Sequence, residues 1–142
     1  MRRETHPVRE YLEGLVWDGV PRAHDWLSAY LGAARKRAEG RSADAPGYTS
    51  LVGQFFLRNM IARVMQPGCI CRSVPVLEGR QNRGKSTARR ILAEPWFSDP
   101  HLDPQSKDAF LQVQGVWLYE VAEMSSFSQR DASVVKQFVS SR

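Results

Sequence analysis

The sequence predicts an α/β fold: a parallel sheet, incomplete within these 142 residues, preceded by an α-helical N-terminal region. Three observations support this. The first third carries apolar residues at helical spacing. A glycine-rich turn then joins a short apolar run, "SVPVLE", to a helix-forming segment, "KSTARRILA". A second apolar run, "VWLYEVAE", ends in carboxylates and precedes another helical pattern.

In "HPVREYLEGLVWDGV", Val8, Tyr11, Leu12, Leu15 and Val16 recur at three- and four-residue intervals and form one apolar face, with Gly19 as the stop. "PRAHDWLSAYLGA" restarts the pattern, with Pro21 suited to a first helical turn and Trp26, Leu27, Tyr30 and Leu31 as its stripe. Residues 34–47 are rich in Ala, Gly, Arg and Ser and read as an exposed linker between a lead-in (1–33) and a core (48–142). "YTSLVGQFFLRNMIARVMQ" predicts the longest helix. Leu51, Phe55, Met60, Ile61 and Val64 are expected on its buried side, and Pro67-Gly68 ends it.

"SVPVLE" is expected to be a short strand, with Pro75 near its start or away from a ladder donor. Residues 96–99 offer a further short strand. "VWLYEVAE" is apolar enough for a strand buried on both faces. "SQRDASVVKQFVSS" reads as a helix capped by Ser126 or Ser128.

The totals narrow the function. A net charge of +5 suits a polyanionic partner. No apolar run approaches the length of a membrane span, and "MRRETHPV" lacks the hydrophobic region of a secretory signal, so a cytoplasmic protein is expected. Cys69 and Cys71 have no nearby His or Cys pair to complete a zinc site and read as reduced thiols. His6, His24 and His101 show no ligand spacing and read as structural or exposed.

The chemistry lies in Gly79-Arg80-Gln81-Asn82-Arg83-Gly84-Lys85-Ser86, which satisfies G-x-x-x-x-G-K-[ST] in full. Gly79 leaves the apolar run in a geometry that a Cβ would resist, and Gly84 lets the main chain approach a phosphate closely. Consecutive backbone N–H groups then make a concave anion nest, reinforced by the N-terminus of the next helix. Lys85 supplies charge to the β- and γ-phosphates, and the Ser86 hydroxyl is a ligand for Mg²⁺. A loop of this kind needs an acidic partner at the end of a neighbouring parallel strand. Glu120 and Glu123 stand there, Glu120 assigned to magnesium and Glu123 to activating the attacking water, although spacing alone does not separate the roles.

Arg83 adds charge near the phosphates or reaches a neighbouring subunit or DNA. Arg89 and Arg90 are read as the solvated face of the helix, and Trp96 and Phe97 as packing residues.

These segments, taken in order, resemble the virulence-associated protein E (VapE-like) family of phage, prophage and mobile-element P-loop ATPases, itself similar to the superfamily-three helicases. "HPVREYLEGLVWDGVPRAHDWLSAYLGA", "RVMQPGCICRSVPVLEGRQNRGKST", "WFSD", "SKDAFLQVQGVWLYEVAEM" and "VVKQFVSSR" carry the likeness. The resemblance implies an ASCE-type P-loop NTPase core, with Gly79, Gly84, Lys85, Ser86 and Thr87 on Walker A and Glu120 and Glu123 on Walker B. Lys136 falls where the next helicase motif opens. It implies ATP and Mg²⁺ as cofactors, single-stranded or forked DNA as partner, and a homo-oligomeric ring. The function expected is an ATP-dependent replicative helicase or primase-helicase. The pattern stops at Arg142, before a sensor residue and an arginine finger, so a fragment with poor hydrolysis by itself is expected. Two alternatives remain: a small-molecule phosphotransferase built on the same loop, and a non-enzymatic nucleic-acid-binding module.

Overall fold

The computed structural model describes residues 5–34, 47–71, 73–100, 106, 108–122 and 133. Helix α1 spans Pro7–Glu13. His6 caps it by accepting the Arg9 N–H on Nδ1 at 3.2 Å, and Pro7 occupies the first turn, where its missing N–H costs nothing. It ends at Gly14, earlier than the Gly19 stop expected from the periodicity. Leu15, Val16 and Trp17, expected in part on the apolar face, are exposed. Asp18 instead ties the following turn, accepting from the Val20 N–H and the Arg22 guanidinium.

Helix α2, Trp26–Leu31, begins after a turn rather than at Pro21, and Gly32 closes it at φ +63°. Helix α3, Tyr48–Met65, is the long helix that the sequence predicts. Its buried positions are Gly53, Met60 and Val64, whereas Phe55 and Ile61 are exposed, which corrects the expected stripe. The reason lies in the partner: Gly53 faces the Trp26 indole, so the contact face is set by the crossing with α2 rather than by side-chain size.

Residues 73–78 carry no strand, contrary to the expectation for "SVPVLE". Helix α4, Lys85–Ala93, follows the glycine-rich turn, and then come strand β1 (Phe97–Ser98), helix α5 (Ala109–Gln112) and strand β2 (Leu118–Tyr119). β1 and β2 pair in parallel, Phe97 with Leu118 and Ser98 with Tyr119; among the described residues this pair is the whole sheet. The second strand is therefore shorter than "VWLYEVAE", and its neighbour is the short 96–99 strand.

Aromatic side chains join the lead-in to these strands. Tyr11 lies 5.5 Å from Trp96 and 6.2 Å from Trp117 between ring centroids, and Trp117 donates its indole N–H to the Met60 carbonyl at 3.0 Å. Trp26 stacks on Phe56 at 5.8 Å. The core is built from Val8, Trp26, Leu27, Met60, Val64, Ala93 and Ala109.

Cys69 and Cys71 are free thiols with sulfurs 3.7 Å apart, and burial followed by the Cys69 contact pushes the Cys71 thiol up. Among the described residues no helix is long and apolar enough to cross a membrane. The helix expected in residues 128–141, with its Ser126 or Ser128 cap, lies outside the described residues except for Ser133.

Candidate functional site

The turn from Gly79 to Gly84 has an unusual backbone. Gly79 stands at φ +146°, Asn82 at +59° and Gly84 at +73°. At Gly79 and Gly84 a Cβ would meet nothing within 4 Å, so the need for glycine arises from backbone conformation rather than from space. Asn82 is a residue type that tolerates the left-handed region, a signal present in the sequence but not used there.

Gly84 is the N-cap of α4, and no side chain caps that helix. The positive end of a nine-residue helix therefore opens onto the turn. The Lys85 ammonium folds back over the turn and donates to the carbonyls of Gly79 at 2.9 Å and Arg80 at 2.8 Å. Lysine bridges the two ends of the loop with the group that an incoming anion would attract. Arg80, Gln81, Asn82 and Arg83 are exposed along it, as are Ser86 and Thr87 on the first turn of α4.

Glu120 reaches this helix from the sheet. Its N–H donates to the Ser98 carbonyl at 2.8 Å, which extends the parallel pairing by one step and places the side chain at the carboxyl end of β2. The carboxylate is 6% exposed. Its Oε1 accepts from the Ser86 hydroxyl at 2.7 Å and from Arg89 Nη2 at 2.6 Å, while Oε2 is buried without a hydrogen-bond partner among the described residues.

Arg89 is the residue that sequence reasoning misplaced. It was expected with Arg90 on a solvated helix face. Arg90 does lie exposed, paired with Asp99 at 2.8 Å and over the Phe97 ring. The Arg89 side chain is only 19% exposed and turns inward to Glu120. One helical step of about 100° separates the two, and that step decides which one meets the sheet.

The oxygen set suits a hard divalent cation. Magnesium is held by one or two carboxylates with hydroxyl, water and phosphate oxygens, and an orphaned buried carboxylate oxygen beside a serine hydroxyl matches that need. Ser86 and Glu120 are the residues that would hold it. Among the described residues no group of three or more His, Cys, Asp or Glu side chains gathers as a metal cluster. Glu123 and Lys136 lie outside the described residues.

A cavity of about 1080 Å³ adjoins the turn, with Lys85, Arg83 and Gly79 at one end and Tyr48, Phe55 and Val76 along its wall.

The family follows from the chain as a whole. The model of the virulence-associated protein E-like domain matches residues 12–142. This chain belongs to that family. No curated protein matches it. The matched span takes in both the glycine-rich turn and Glu120, so the contact between them lies within the virulence-associated protein E-like domain.

Proposed function

We propose that this virulence-associated protein E-like domain is the ATP-binding part of a DNA-dependent ATPase, a replicative helicase or primase-helicase of a prophage or other mobile element. The observation that carries the reading is the hydrogen bond from Ser86 to Glu120, which joins the end of the glycine-rich turn to a buried carboxylate at the end of a parallel strand. The core is then an ASCE-type P-loop sheet of which β1 and β2 are one pair.

In this reading the turn's amides and the α4 N-terminus bind the phosphates, and Lys85 exchanges its two loop carbonyls for phosphate oxygens. Ser86 and Glu120 hold Mg²⁺, which, when bound, offsets charge developing on the transferred phosphoryl group. Glu123 is assigned as the base that orients water. The +5 net charge supports DNA as partner, and a ring of subunits is the assembly in which an arginine finger is offered from a neighbour.

The test is calorimetric titration of ATP with Mg²⁺ into the chain and its Lys85→Ala variant. At least tenfold weaker binding by the variant is expected. Equal binding would overturn the phosphate-loop reading. DNA stimulation of ATP turnover then separates a motor from a small-molecule phosphotransferase.

A further inference from the structure

Arg89 makes two contacts to the oxygens assigned to the metal and a third to a backbone carbonyl beside them. Its Nη2 is 2.6 Å from Glu120 Oε1 and 3.5 Å from Ser86 Oγ, and its Nε donates to the Lys85 carbonyl at 3.2 Å. One nitrogen of a permanently charged group thus lies against both the carboxylate and the hydroxyl that a divalent cation would take. We propose that Arg89 is a positioning residue that stands in for the cation: its guanidinium neutralises Glu120 in the metal-free protein and gives way when the metal arrives. The inference rests on the assignment of Ser86 and Glu120 to Mg²⁺ made above.

The physical case begins with burial. A carboxylate at 6% exposure is costly without a counter-charge, and Arg89 supplies it. Arginine fits because a planar fork can address Glu120, Ser86 and a backbone carbonyl together, while its charge persists at any working pH. Two cations crowded onto one carboxylate oxygen repel, so metal and guanidinium compete for Oε1. Oε2 is buried and unpartnered, so it is left as a spare ligand for the cation once Arg89 moves aside. Serine and glutamate are meanwhile kept 2.7 Å apart, in the arrangement that the cation needs.

The consequence is a threshold for metal loading. Without nucleotide, the cation must displace an internal ion pair. With nucleotide, phosphate oxygens near Lys85 add ligands to the metal and draw the guanidinium away, so binding of the two becomes cooperative.

The experiment measures Mn²⁺ binding by electron paramagnetic resonance, and Mg²⁺ binding by calorimetry, on the full chain and its Arg89→Gln variant, without and with ATP. Without ATP, the variant should bind the cation at least tenfold more tightly than the wild type, and the gain from adding ATP should shrink. Arg89→Lys, which keeps the charge but offers a single point instead of a fork, should fall between them and serves if the glutamine variant fails to fold. Equal cation affinity in wild type and Arg89→Lys, or in wild type and a folded Arg89→Gln, overturns the proposal. Wild-type protein that binds ATP·Mg²⁺ while Arg89 variants match it overturns this inference alone. Failure of the wild type to bind either ATP or the cation overturns the assignment beneath it too.

Discussion

Ser86 and Glu120 stand 34 residues apart in the chain and meet through a 2.7 Å hydrogen bond from hydroxyl to carboxylate. The bond fastens the first turn of α4 to the end of β2. Ser86→Ala removes one of the two donors to Glu120 Oε1 and leaves Arg89 as the other. A loss of about 1.5 kcal/mol in unfolding free energy is expected, the low end of the range for a hydrogen bond to a charged group because Ser86 is exposed. Urea denaturation of variant and wild type measures it. An unchanged midpoint would show that the bond contributes nothing to the folded state.

Lys85 predicts a separation of stability from binding. Its ammonium contacts two carbonyls in an exposed turn, so Lys85→Ala should cost less than about 1 kcal/mol of stability, as expected for hydrogen bonds that water can replace. A thermal melt and a nucleotide titration on the same sample decide it. Loss of folding together with binding would remove the separation.

Gly53 faces Trp26. A Cβ at this position would lie 2.7 Å from Trp26 Nε1 and 3.2 Å from Leu27 Cδ1. Gly53→Ala should therefore destabilise by about 1–3 kcal/mol through overpacking, despite the better helix propensity of alanine. Trp26 Nε1 is itself buried without a hydrogen-bond partner among the described residues. Trp26→Phe removes that N–H and the nearest obstructing atom, so it should relieve part of the Gly53→Ala cost. A double-mutant cycle in denaturant checks the coupling; strictly additive effects would show that the two positions do not press on each other.

Trp117 links the strand layer to α3 and to the lead-in. Trp117→Phe loses the indole N–H to the Met60 carbonyl, while keeping much of the contact with Tyr11 and Trp96, and should cost about 1 kcal/mol. Trp117→Ala also removes the ring and should cost about 3 kcal/mol, the low end for a large aromatic because the site is half-buried. Equal midpoints for the two variants would contradict this.

The Arg22 guanidinium, then the Val20 N–H, holds the Asp18 carboxyl down to about 2. A folded-state value below the unfolded one means that the contribution is present above the ordinary aspartate range. It is lost as pH falls from about 4, the unfolded value, towards the folded one. Carboxyl chemical shifts should titrate near that low midpoint in wild type and return towards about 4 in Arg22→Ala. The group is exposed, so added salt should raise the midpoint as well. A wild-type midpoint near 4 would show that the pair does not persist in solution.

Much of the local structure was legible in the residues. Pro67-Gly68 follows the end of the longest helix, as expected from residues that act through their own backbone, whereas the stop at Gly19 and the restart at Pro21 gave way to Gly14 and Trp26. The glycine-rich turn, with left-handed backbone at Gly84, follows the same local logic, as does the helix beginning at Lys85. Tertiary structure decided what local chemistry leaves open. Phe55 and Ile61 share the apolar character of Met60 and Val64, yet only the latter pair is buried, because the crossing of α2 over Gly53 selects the face. Adjacent arginines part ways in the same manner: Arg90 meets Asp99 near solvent, and Arg89 meets a buried glutamate, once the parallel pairing of Ser98 with Tyr119 has set where Glu120 stands. Propensity and turn chemistry operate over a few bonds. Burial and ion pairing depend on partners that only the folded chain brings close.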